Sequence, residues 1–64
     1  MTPTQIKLIR KALKLSQNDL ADRLRLSPQT GGRTVRAWEA GKYPITGPAS
    51  LALEFIAQAN GIEY

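Results

Sequence analysis

The chain has no cysteine and no histidine, and these two absences remove whole classes of chemistry. Without cysteine no disulfide can staple a small fold, which suits a reducing compartment such as the cytoplasm. Without Cys or His, a structural zinc site of the usual kind has no ligands, and neither a metal nor a cofactor is expected. Acid is scarce: five Asp and Glu stand against nine Lys and Arg. With so few carboxylates and no imidazole, no acid–base pair stands out and no catalytic residue is expected. No apolar run approaches the ~20 residues that cross a bilayer, and the opening "MTPTQIKLIRK" lacks the apolar stretch of a signal peptide.

What is present is basic and foldable. The formal net charge is +4 and 42% of the 64 residues are hydrophobic, a balance that favours a folded domain with an acidic partner, nucleic acid first. An anionic membrane is the weaker partner, because the apolar face beside the first lysines is needed for the core. One domain of this size buries only about 60% of its unfolded surface, so association with a second copy is a natural source of stability.

The pattern predicts an all-α bundle of four or five short helices, with no convincing strand alternation. Ile6, Ile9 and Leu13 recur at helical spacing over Thr4 to Lys14, behind Thr2 or Thr4 as N-cap. "LSQNDLADRL" opens a second helix, in which Ser16 and Asp19 stand at capping-box spacing and Leu20, Ala21 and Leu24 form the buried stripe. It stops near Arg25, ahead of Ser27-Pro28. A third helix is expected from Gly32 or Arg33 to Ala40, with Gly41 as its stop. A fourth runs from Pro48 to about Asn60, ended by Gly61.

Two short helices joined by a turn in a basic all-α domain form a helix-turn-helix pattern. From Ile6 to Phe55, "LSQNDLADRL" followed by "TVRAWEAGK" resembles the Cro/CI (XRE-type) family of helix-turn-helix transcriptional regulators. "ITGPASLALEFIA" is also similar to small phage and mobile-element regulators, among them the anti-CRISPR-associated repressors. The chain departs from the family between Leu26 and Val35, where it is about four residues longer and "PQTGG" is the surplus. The glycines are therefore expected in an enlarged turn. There Gly31 and Gly32 either bring backbone amides close to a phosphate or simply absorb the insertion.

Helical geometry then sorts the candidate contacts. Val35 and Trp38 share the inner side of the third helix, so Arg33, Arg36, Ala37 and Ala40 project outward. Two arginines beside small alanines suit entry into the major groove of double-stranded DNA, where arginine reads guanine bidentately. Thr34, with Gln29 and Thr30 from the turn, adds a second tier of base contacts. The resemblance implies that Ser16 and Gln17 meet the DNA backbone, and Gly32, Lys42 and Tyr43 join them as phosphate candidates. Ser16 also reads as a plain N-cap, and Lys42 and Tyr43 as solvated loop residues. The resemblance further implies that Arg10 pairs with Glu39 inside the bundle.

The fourth helix is apolar over much of its circumference. Leu51, Ala52, Phe55, Ile56 and Ala59 are expected to face the core. Ala49, Leu53 and Ala57 continue around the side, and this surplus, with Ile56, Ile62 and Tyr64, is expected to form a homodimer interface. The whole chain, 1–64, then reads as one DNA-binding domain whose helix at about 48–60 serves dimerisation. Its expected role is a dimeric repressor, acting at an inverted repeat and without a small-molecule effector. The alternative is an antitoxin or similar interaction module whose last helix holds a partner protein.

Overall fold

The computed structural model describes residues Met1–Tyr64 and contains four helices: α1 (Pro3–Ala12), α2 (Gln17–Arg23), α3 (Gly31–Glu39) and α4 (Gly47–Ala59). None is long and apolar enough to cross a membrane. Two of them start with capping boxes. The Thr2 side chain accepts the Gln5 amide while Gln5 Oε1 accepts the Thr2 amide, and Ser16 and Asp19 do the same for α2. Aspartate thus serves where glutamate is usual. Pro3 begins α1 directly after Thr2, so the helix starts one residue earlier than the apolar spacing suggests.

All four helices end in the same way. At each C-terminus one residue enters the left-handed region, and the following amide reaches back five residues to a carbonyl. The pairs are Leu15 to Arg10, Leu26 to Ala21, Lys42 to Ala37 and Ile62 to Ala57. These are Schellman motifs. Gly41 (φ 74°) and Gly61 (φ 65°) adopt the left-handed conformation without steric cost; Lys14 (φ 59°) and Arg25 (φ 62°) do so against their Cβ atoms. Leu15 and Leu26, each just past such a residue, pack on the core, and that burial offsets the strain.

The core joins Ile6 and Ile9 of α1, Leu20 and Ala21 of α2, Val35 and Trp38 of α3, and Ala49, Leu53 and Ala57 of α4. The α4 assignments reverse the expected faces. Ala49, Leu53 and Ala57 point inward, with Leu53 and Ala57 fully buried, whereas Leu51 and Phe55 are 54% and 62% exposed. Leu53 is buried in the core of its own chain, so Ala49, Leu53 and Ala57 have no surface left for a partner. The i, i+4, i+8 row of Ala49, Leu53 and Ala57 supplies a narrow inner stripe, one large residue between two small ones. Ile56 and Ile62 are half-buried, and Tyr64 is exposed.

The glycines of the inserted segment are also placed differently from expectation. Gly31 and Gly32 are the first turn of α3, not part of the turn before it. The insertion is taken up by Leu24–Thr30, where the Gly31 amide donates to Ser27 O at 2.7 Å and the Ser27 hydroxyl donates to Gln29 Oε1 at 2.9 Å. Gly31 is glycine because α2 passes directly above it. A Cβ there would lie 2.8 Å from Ala21 Cβ and 3.0 Å from Leu26 Cβ.

Candidate nucleic-acid interface

The close α2–α3 crossing leaves one long side of α3 facing outward. Val35 and Trp38 are buried beneath it, and Arg33, Arg36 and Ala40 are exposed above, with Thr34 and Ala37 at the margin. Gln29 and Thr30 are exposed in the turn that leads to the same helix end. The outer face of α3 has no acidic group. Its one carboxylate, Glu39, turns inward to Arg10, whose Nε donates to Oε2 at 2.6 Å and Nη2 to Oε1 at 3.0 Å.

That pair is largely enclosed, with side-chain exposures of 13% and 6%. Arg10 Nη1 also donates to Leu15 O at 3.0 Å, so one guanidinium ties α1, the α1–α2 connection and the end of α3 together. The hydrogen bonds to Glu39 raise the Arg10 pKa above its ordinary value, against the opposing effect of burial and with the help of the carboxylate charge. Arg10 is thereby spent on architecture, and the expected Arg10–Glu39 contact is present.

The start of α3 is open. Thr30 makes no side-chain cap, and its carbonyl instead accepts the Thr34 amide at 2.9 Å and the Thr34 hydroxyl at 3.0 Å. Thr34 Oγ1 therefore keeps only acceptor capacity toward the outside. Gly31's amide is used by Ser27, while the amides of Gly32 and Arg33 have no acceptor within the chain. First-turn amides of this kind carry partial positive charge and welcome an anion.

The remaining candidates separate. Ser16 is exposed, and its hydroxyl oxygen accepts the Asp19 amide as an N-cap while its proton stays available. Gln17 is half-buried and its amide is engaged on both sides, with Glu39 at 3.4 Å and Arg36 at 3.3 Å. Lys42 and Tyr43 are exposed just beyond α3, with Lys42 Nζ 5.7 Å from the Tyr43 ring centre, within cation–π range. One neighbour escaped the sequence reading. Asn18 places its carboxamide directly over Gly32, so that a Cβ on Gly32 would fall 1.7 Å from Asn18 Oδ1. Its only sequence signal is its position one residue after Gln17. Asn18 and Gly32 also line a groove of about 250 Å³ between α2 and the turn, together with Asp19 and Asp22.

A basic helix face without carboxylates, presented by a tightly crossed helix pair, is the surface that places a helix in a DNA groove. Comparison with curated proteins and with solved structures found no match. A helix-turn-helix family model matches residues 6–62, nearly the whole chain. The two-helix crossing of α2 and α3, the exposed arginines and this match agree, and the chain belongs to the Cro/CI (XRE-type) family of helix-turn-helix DNA-binding transcriptional regulators.

Proposed function

We propose that the protein is a dimeric repressor that binds an inverted repeat in double-stranded DNA, each copy laying α3 in a major groove. The observation that supports this most is the outer face of α3, where Arg33 and Arg36 flank the small Ala37 and Ala40 with no acidic group between them. Arg33 and Arg36 read guanine edges, and Ala37 lets the helix axis come close to the bases. Thr34, Gln29 and Thr30 supply the second tier of base contacts. Ser16, Gly32, Lys42 and Tyr43 hold phosphates and fix the register, joined by Asn18 beside Gly32. Occupying a promoter, its own included, needs nothing more than this surface.

For dimerisation, Leu51 and Phe55 take the place of the buried Ala49, Leu53 and Ala57, and Tyr64 is kept from the set the sequence suggests. Leu51 and Phe55, one turn apart on α4, form the exposed apolar strip, and Tyr64 is exposed as well. Burial of that strip against a second copy pairs two recognition helices, and half-sites then fall about 34 Å apart on one face of the duplex.

The test is selection from a pool of random duplexes at two salt concentrations, followed by sequencing of the retained fraction. An inverted repeat with half-sites about one helical turn apart is the expected result. Salt-dependent retention without any motif would overturn sequence-specific repression and leave only phosphate binding. In that event the strip of Leu51 and Phe55 would point to a partner protein, as in an antitoxin.

A further inference from the structure

Gln17 opens α2, and its carboxamide lies between two groups of opposite character. Nε2 donates to Glu39 Oε1 at 3.4 Å, and Oε1 accepts from Arg36 Nε at 3.3 Å. Glu39 is in turn held by two hydrogen bonds from Arg10. A continuous polar chain thus runs from the enclosed Arg10–Glu39 pair, through Gln17, to an arginine on the exposed face of α3.

Two features give this chain a direction. A flipped amide would set Nε2 against the Arg36 guanidinium and Oε1 against the Glu39 carboxylate, so the orientation of Gln17 is determined by its neighbours. The contact to Arg36 also uses Nε, and neither Nη of Arg36 has a partner within the chain. The guanidinium is held by its inner nitrogen while its outer edge stays free, and that edge donates to O6 and N7 of guanine.

We propose that Gln17 is a positioning residue for Arg36, setting the direction of its guanidinium toward a base, and not simply a phosphate contact. This rests on the reading of Arg36 as a base-contacting residue. Glu39 supplies the fixed end, so the ion pair that ties the helices together also sets the rotamer of a recognition side chain. Holding a long side chain in one rotamer before binding removes part of the entropy lost in the complex. The effect of Gln17 is therefore confined to the base pair that Arg36 meets.

The experiment uses the duplex most enriched by the full chain from a random pool, together with its single-base-pair variants. Dissociation constants are measured for wild type, Arg36→Ala, Gln17→Ala, Gln17→Met and the Gln17→Ala/Arg36→Ala double variant. Each is checked by circular dichroism to be folded at the assay temperature. Gln17→Met keeps the length and helix preference of the side chain while removing both hydrogen bonds. Arg36→Ala is expected to erase preference at one base pair of each half-site. Gln17→Ala and Gln17→Met are expected to weaken preference several-fold at that same base pair and leave the others intact. The double variant should then discriminate no worse than Arg36→Ala alone, because the two residues act as one unit. A uniform loss across all duplexes, additive with Arg36→Ala, would make Gln17 a phosphate contact and overturn the proposal. Unchanged preference in Arg36→Ala would instead remove the reading on which the proposal stands, and the proposal with it.

Discussion

Substituting Gly31 by alanine tests whether the α2–α3 crossing is set by contact. The new Cβ would meet Ala21 Cβ at 2.8 Å and Leu26 Cβ at 3.0 Å, against an optimal carbon–carbon separation of about 3.5–4.0 Å. Neither neighbour can rotate away, because a Cβ position is fixed by its backbone. Ala21 lies inside α2 and Leu26 follows its Schellman turn, so the two helices must part by a good fraction of an ångström. Overpacking of this kind costs about 1–3 kcal/mol. The intrinsic gain from replacing a helical glycine by alanine is at most about 1 kcal/mol and smaller in the first turn. The net loss is roughly 1–2 kcal/mol, which for a domain of this length lowers the melting temperature by about 4–16 °C.

The same change one residue later is the control. At Gly32 the new Cβ collides only with the Asn18 carboxamide, an exposed and rotatable group, and it clears Asn18 Cα at 3.6 Å. Gly32→Ala should therefore melt at or slightly above the wild-type temperature. Ala21→Gly combined with Gly31→Ala should lose less than the sum of the two single changes, since the closest clash is gone. The assay is thermal unfolding followed by circular dichroism at 222 nm. A Gly31→Ala variant as stable as wild type, or a Gly32→Ala variant equally damaged, would refute the packing argument.

Arg10→Ala should destabilise by about 3 kcal/mol, because it leaves the Glu39 carboxylate enclosed without its partner. Weakened DNA binding by a variant that melts like wild type would contradict that role. With the Arg10 pKa raised, the pair's contribution is complete below the ordinary arginine range and falls away only as pH rises through the higher value, so the Arg10 side brings no loss at neutral pH. Lys14→Gly and Arg25→Gly should each raise the melting temperature by a few degrees. Relief of about 1–2 kcal/mol of left-handed strain outweighs glycine's extra freedom in the unfolded chain. A fall in both would show that these side chains make contacts worth more than the strain. Phe55→Glu should turn a dimer into a monomer in sedimentation equilibrium while the monomer stays folded. Leu53→Ala should instead cost about 2–5 kcal/mol through loss of core contacts. Dimers that survive Phe55→Glu would place the interface elsewhere.

The sequence by itself determined what local chemistry controls. Ser16 with Asp19 marks the start of α2, and Gly41 and Gly61 mark two helix ends, because capping and left-handed backbone depend on a few adjacent residues. Spacing of Val35 against Trp38 turns Arg33 and Arg36 outward, since 3.6 residues per turn leaves them no other side. The resemblance over the central motif led to the family and to the Arg10–Glu39 pair.

Tertiary structure decided the questions in which two parts of the chain compete for the same space. On α4 nearly every side is apolar, so periodicity could not distinguish the inner row from the outer one. Contact with α1 and the rest of the core selected Ala49, Leu53 and Ala57. The left-handed turns at Lys14 and Arg25 have no signature in those residues themselves; burial of Leu15 and Leu26 just beyond them imposes the turn. Gly31 reads locally as a helix breaker, yet it lies in a helix because Ala21 and Leu26 leave no room for a side chain. The Gln17–Arg36 contact joins residues 19 positions apart, and only the crossing of α2 over α3 brings them within hydrogen-bond reach.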